Sequence, residues 1–154
     1  MYAIDKAKED GCKLLMKAAP AADIPEEYLK KVDILVVNEV EAAYYLHSEI
    51  DTIEKAKEGA LQMSGELCNA CIFTLGKEGS VVAQDGEVAF IPSQKVDAVE
   101  STGAGDSFIG ATGYALIHGM DLVKACEFAT GCSAITVCRY GAQPSMPTLE
   151  EVTA

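Results

Sequence analysis

Apolar residues in this chain fall into two textures, short unbroken runs and longer stretches at helical spacing. Ile34 to Val37 and Ala70 to Leu75 are unbroken runs of strand length, which predicts strands covered on both faces. Between them, Glu39 to Leu46 and Ile53 to Met63 carry helical spacing, with Ser64-Gly65 predicting the end of the second helix and Asn38 placed as the N-cap of the first. Upstream, Tyr2 to Gly11 reads as a helix stopped by glycine and Cys12 to Met16 as a strand. Pro20 and Pro25 bracket a loop, after which Glu26 to Lys31 predicts one or two helical turns.

Downstream, Ser80 to Gln84 and Glu87 to Ile91 alternate around Asp85-Gly86, a pair suited to a type I′ hairpin turn. Lys95 to Glu100 reads as strand-like and Thr102 to Gly105 as a Gly-rich loop. Asp106 to His118 and Leu122 to Val137 are long helical stretches so weakly polar that burial is expected. The acidic Thr148 to Ala154 predicts the first turn of one more helix. The fold class expected is α/β, a mainly parallel sheet with helices on both faces and one β-hairpin excursion. Tyr2 to Gly11 has the text of the end of a helix, and starting inside a helix is odd for a complete domain, so a partial fold is expected.

The 154 residues suffice for one domain. Twelve basic against 24 acidic residues give a net charge of −12, which argues against nucleic acid or an anionic membrane as partner. No apolar run approaches the ~18 to 20 residues of a membrane span. The first ten residues lack the basic and apolar regions of a secretory signal, so a cytoplasmic address is expected, with the six cysteines reduced. Cys68 and Cys71 form a C-x-x-C that suggests a redox or zinc site, but no second pair stands at finger spacing and His47 and His118 are distant, which favours cysteines packed beside a strand. Tyr44, Tyr45 and Phe108 read as core, and His118 as a partner for a helix C-terminus.

The segment with most chemical content is Ser101-Thr102-Gly103-Ala104-Gly105-Asp106-Ser107-Phe108. Glycines at a helix start permit a sharp turn and leave amide groups pointing outward, an arrangement that binds anions. Asp106, in the first turn, reads either as a general base toward a substrate hydroxyl or as a helix-capping acid. A P-loop is absent, and Phe108 occupies the position where a G-x-G-x-x-G fingerprint needs its third glycine.

Three further motifs accompany that segment in order: Asn38-x-x-Glu41 after one strand, Thr74-Leu75-Gly76-x-x-Gly79 after the next, and Gly141-Ala142-Gln143-Pro144-Ser145 near the end. Alone, the first reads equally as an N-cap with a solvated glutamate, and the second as a strand-ending turn. Together they resemble the second half of the ribokinase-like (PfkB) carbohydrate kinase family, from Ala19-Pro20-Ala21 to Met146-Pro147, and the Gly141 to Ser145 block is most similar to the ribose-phosphorylating members.

The resemblance implies that residues 1 to 154 form the nucleotide-binding and catalytic C-terminal half of a sugar kinase. The activity implied for the intact protein is ATP-dependent phosphorylation of a sugar hydroxyl, ribose to ribose 5-phosphate foremost, with fructose, adenosine or a ketogluconate as other acceptors in the family. Asp106 would be the base and Gly103, Ala104 and Gly105 the anion hole for the transferring phosphoryl group. Asn38, Thr74, Gly76 and Gly79 would bind nucleotide, and Glu41 would organise magnesium through water. A monovalent cation, usually potassium, would be held by Glu100, Thr102, Thr136, Arg139, Gly141 and Ser145, mostly through carbonyls. Glu100 stands where the family usually has Asp, and Ser101 where it usually has Thr. The extra methylene shifts the carboxylate by roughly an ångström, so potassium dependence does not follow from the resemblance alone. The family's first half, with its sugar-contacting Gly-Gly motif and lid strands, has no counterpart here. Little sugar phosphorylation by this chain alone is therefore expected, as is association into a homodimer through the sheet edge left open. The competing reading is a non-catalytic nucleotide-binding or interaction module without a sugar surface.

Overall fold

The computed structural model describes residues 1–153, which form two compact units, Met1–Leu75 with Val81–Phe90, and Gly76–Ser80 with the chain from Ile91 onward. Helix α1 (Tyr2–Glu9), strand β1 (Leu15–Lys17), the single turn α2 (Glu26–Leu29) and strand β2 (Ile34–Asn38) come first. Helices α3 (Glu39–Leu46) and α4 (Ile53–Glu66) follow, then β3 (Ala70–Thr74) and a hairpin of β4 (Gly79–Gln84) and β5 (Glu87–Pro92). These strands make a five-stranded sheet in the order β1-β2-β3-β4-β5, with β1, β2 and β3 parallel.

The β2 and β3 runs are buried as their unbroken apolar sequence requires. Leu35 and Val37 of β2 and Cys71 and Phe73 of β3 share one core with Val81 and Ala83 of β4. The alternate residues Val36, Ile72 and Val82 are also buried, so both faces of these strands are covered. Helix α4 presents Ala56, Gly59, Ala60 and Met63 to the first core, one stripe at helical spacing. A Cβ on Gly59 would come within 2.7 Å of Leu46 Cδ1 and 3.1 Å of Phe73 Cε2, so the small residue sets how closely helix and strand approach.

In the hairpin turn, Asp85 and Gly86 have φ of 53° and 79°, the two left-handed positions a type I′ turn needs. In the second unit, α5 (Ala104–Ile117) and α6 (Leu122–Thr136) pack along each other through small buried residues, among them Thr112, Ala115, Ala125 and Ala129. Asp121 starts α6 by accepting a hydrogen bond from the Lys124 amide, and α7 (Leu149–Thr153) realises the helical turn expected in the acidic tail, whose last residue, Ala154, lies outside the described residues. No helix among the described residues is long and apolar enough to cross a membrane.

Five local expectations are corrected. Strand β1 begins at Leu15 rather than Cys12, because the Cys12 amide closes back on Ala7 O and the Leu14 amide is held by the Asp33 carboxylate at 2.7 Å. Helix α4 continues through Ser64-Gly65, since Gly65 stays out of the left-handed region; the helix stops where the Leu67 and Cys68 amides both turn to Met63 O. Lys95 to Glu100 forms no strand, its Val99 and Glu100 amides sharing Val137 O instead. Helix α5 starts at Ala104, inside the expected loop. Tyr44 is 42% exposed rather than core, its hydroxyl donating to Asp23, whereas Phe108 is buried and Tyr45 packs partly against the core.

Phe73 is the largest fully buried side chain. Phe73→Ala is expected to lower stability by about 3 to 5 kcal/mol in urea unfolding. Tyr2→Ala, at an exposed position, is expected to stay within about 0.5 kcal/mol of the parent.

Candidate active site

In the first unit, the parallel register carries β2 and β3 to a common end where Asn38 lies opposite Thr74. Asn38 closes the strand and starts α3. Its Oδ1 accepts from the Glu41 amide at 2.8 Å, while Glu41 Oε2 accepts from the Asn38 amide at 2.9 Å, a reciprocal capping box. Glu41 is only 6% exposed, so it is a buried cap and not the solvated side chain its neighbours in sequence allow. The Thr74 hydroxyl leans back toward Val37 O at 3.4 Å.

In the second unit, Gly76 opens a single 3-10 turn, Gly76–Glu78, and Gly79 follows it, both glycines with positive φ. Their missing side chains have different causes. A Cβ on Gly79 would fall 2.0 Å from Ile91 O and 2.7 Å from Ser93 N, so close backbone packing already demands glycine there. A Cβ on Gly76 would meet nothing within 4 Å, so open space beside the backbone is found at Gly76.

The Gly-rich segment turns at Gly103, φ 81°, which is the N-cap of α5 and has no side-chain cap. Ser107 N donates to Gly103 O at 2.8 Å, and Ala104 N donates to Ser101 O at 3.2 Å. The Ala104 amide is thus partly spent, and Ser107 is the first residue whose amide reaches a carbonyl four positions back, at Gly103. Asp106 is the third helical residue and exposed. Two hydroxyl residues of α6 support this turn. Ser133 Oγ donates to Ala104 O at 3.1 Å, and Thr136 Oγ1 lies 2.9 Å from the buried Ser107 Oγ and 3.0 Å from Cys132 O. Thr136 is among the residues that the resemblance assigns to a cation, whereas the only sequence signal for Ser133 is a hydroxyl three positions before it in an apolar helix.

Of the residues assigned to a cation by resemblance, Glu100, Thr102 and Gly141 are brought together. Glu100 Oε2 accepts from the Gly141 amide at 2.9 Å, and the Thr102 hydroxyl also donates to this carboxylate. These two donors, Thr102 foremost, hold the Glu100 carboxyl below its usual range. Ser145 is buried, its hydroxyl donating to Ala142 O at 2.6 Å, and a Cβ on Gly103 would touch Ala142 at 3.4 Å. The Arg139 side chain is committed elsewhere, forming a two-pronged pair with Glu151 at 3.2 and 2.7 Å that pulls the Glu151 carboxyl down to about 2. No cluster of three or more His, Cys, Asp or Glu side chains suited to a metal occurs among the described residues. A cleft of about 250 Å³, walled by Tyr114, Phe128, Cys132 and Leu149, reaches Asp106 and Ser107.

A sequence profile described as pfkB family carbohydrate kinase matches residues 2–149. The chain belongs to that family. Ribokinase from Schizosaccharomyces pombe is 40% identical over 154 residues, covering 97% of this chain and 48% of that protein. Ribokinase from Staphylococcus aureus is 36% identical over 151 residues, with 97% and 50% covered. Among solved structures, Arabidopsis thaliana ribokinase complexed with ribose and ATP superposes with a TM-score of 0.90 at 26% identity, over 97% of this chain and 49% of that one. This pfkB-family chain therefore spans about half the length of the relatives it matches.

Two outcomes follow from the geometry. Gly79→Ala is expected to cost more than about 2 kcal/mol in urea unfolding, against about 1 for Gly76→Ala, which bears only the left-handed strain. The Glu100 carboxyl, titrating in the fold below the 4.5 of a free glutamate, contributes stability that is complete above about pH 4.5 and is lost as pH falls through its lower folded value. Carboxyl-carbon NMR should show that midpoint rise toward 4.5 in Thr102→Val; an unmoved midpoint would remove Thr102 as the cause.

Proposed function

We propose that this chain is the nucleotide-binding and catalytic part of an ATP-dependent sugar kinase, with ribose as the acceptor. The reading is carried by one observation, the start of α5 at a left-handed Gly103 with Asp106 in its first turn, in a member of the pfkB family. Ribokinases among its relatives, and ribose with ATP bound to one solved neighbour, support the choice of sugar and nucleotide.

In this reading, Asp106 takes the proton of the sugar hydroxyl as its oxygen attacks the γ-phosphorus, and ADP leaves. Gly103, Ala104 and Gly105 at the positive end of α5 stabilise charge on the equatorial oxygens. Asn38, Thr74, Gly76 and Gly79 line the nucleotide, with Gly76 giving the close approach. The oxygen donors at the β2 end suit a hard cation, and Glu41 with Asn38 would position magnesium waters; magnesium, when bound, offsets phosphate charge. Glu100, Thr102 and Gly141 would hold a monovalent cation such as potassium, which Ser145, Thr136 and Arg139 would join, mostly through carbonyls. The intact protein is cytoplasmic, the chain by itself associates into a homodimer through the sheet edge left open, and the sugar-contacting and lid elements belong to the half of its relatives that this chain does not match.

In the intact protein, Asp106→Asn is expected to lower turnover by about 10² to 10⁴ while ATP binding persists. Near-parental turnover would return Asp106 to a helix-capping role. The 154-residue chain alone should show no phosphorylation of ribose above background in a coupled assay with ATP, magnesium and potassium, since the positioning of both reactants supplies about 7 to 11 kcal/mol.

A further inference from the structure

Hydroxyl groups in α5 and α6 mostly turn back on their own helix. Thr112 Oγ1 donates to Phe108 O, Thr130 Oγ1 to Cys126 O and Thr136 Oγ1 to Cys132 O, each to the carbonyl four residues earlier at 2.8 to 3.0 Å. Ser133 departs from this habit. Its half-buried hydroxyl crosses from α6 and donates to Ala104 O, the first carbonyl of α5, at 3.1 Å. Three residues on, Thr136 and Ser107 bring their buried hydroxyls to 2.9 Å across the same pair of helices. A hydroxyl has one proton and a carbonyl has none, so Thr136 gives its own to Cys132 O and accepts that of Ser107. Helix α6 therefore grips the first turn of α5 at residues 104 and 107, on either side of Gly105 and Asp106.

The Ala104 carbonyl and the Gly105 N–H are two ends of one planar peptide unit. A donor held on the oxygen therefore fixes the direction of the N–H at the other end, and it polarises that N–H into a stronger donor. The preceding peptide, which carries the Ala104 N–H, is held within α5 itself, through the Ser107 amide on Gly103 O at 2.8 Å. The Ala104–Gly105 peptide is gripped from a second helix. We propose that Ser133 is a positioning residue of the phosphoryl transfer, an inference that rests on the kinase reading of this turn. Its hydroxyl aligns and polarises the Ala104–Gly105 peptide so that the Gly105 N–H meets the charge that develops on the transferring group. Ser133 touches neither substrate, so its effect falls on the transition state and leaves ground-state binding unchanged.

Three variants of the intact protein test this: Ser133→Ala, Ser133→Thr, which keeps the hydroxyl, and Thr112→Val, which loses a buried hydroxyl bonded within its own helix. Ser133→Ala is expected to lower kcat about ten-fold, less than the ~10² to 10³ lost with an oxyanion donor itself, while KM for ribose and for ATP stays within about two-fold. Ser133→Thr and Thr112→Val are expected to keep kcat within about two-fold of the parent. With glycine labelled by nitrogen-15, the Gly105 amide resonance should move upfield in Ser133→Ala and return in Ser133→Thr. An unmoved Gly105 resonance, an undiminished kcat or a loss confined to KM in Ser133→Ala, an equal loss in Thr112→Val, or a Ser133→Thr no better than Ser133→Ala would each overturn the proposal. A parent that phosphorylates ribose, slowed by Asp106→Asn but not by Ser133→Ala, keeps the kinase reading and removes the role of Ser133; a parent with no phosphorylation of ribose removes both.

Discussion

Five residues of β2 run beside five of β3 in parallel, and both strands are buried on both faces. Backbone groups so enclosed have no water to turn to, so the ladder must be complete, and parallel strands can be joined only by a crossover. Helices α3 and α4 supply it. The stripe of Ala56, Gly59, Ala60 and Met63 is what a crossover helix needs to lie close to Phe73, and the ladder delivers Asn38 and Thr74 to one end. The change from strand to helix at Asn38 takes no loop at all, because one side chain ends the ladder and caps the helix.

Arginine lends the candidate site no side-chain charge. The sequence has a single arginine, Arg139, and both its terminal nitrogens are given to Glu151. In a chain of charge −12, recognition of a polyphosphate would rest on backbone amides and helix ends, with divalent metal offsetting the remaining charge. This explains why the glycine turn carries so much of the functional reading. It also accounts for the support around that turn, where Ser133 and Thr136 hold the first turn of α5 from α6 and Glu100 holds Gly141. Amides work as an anion site only while their directions are fixed.

Much of this was legible because hydrophobic periodicity and local turn chemistry agree. The β2 and β3 runs, the Asn38 cap, the Asp85-Gly86 turn and α6 are specified by residues within a few positions of each other. Errors fell where a distant partner decides. Lys95 to Glu100 has strand-like text but no strand to pair with, and its amides are claimed by Val137 some forty residues on. The end of α4 is instead decided locally: Gly65 has the residue type of a stop, yet the helix ends where Met63 O receives the amides of Leu67 and Cys68. In the site, the motif residues could be named from sequence, but the burial of Glu41, the different reasons for Gly76 and Gly79, and the roles of Ser133 and Ser107 depend on contacts that no spacing announces.

The capping box at Asn38 and Glu41 makes one carboxylate answer to two masters. Any change that removes its hydrogen-bonding oxygen loosens the start of α3, so a loss of activity after Glu41→Ala confounds a frayed helix with a missing charge. Genetic damage at this position is therefore uninformative about chemistry on its face. An amide in place of the acid keeps an oxygen for the Asn38 amide while discarding the charge, and that isostere separates the capping contact from the charge itself.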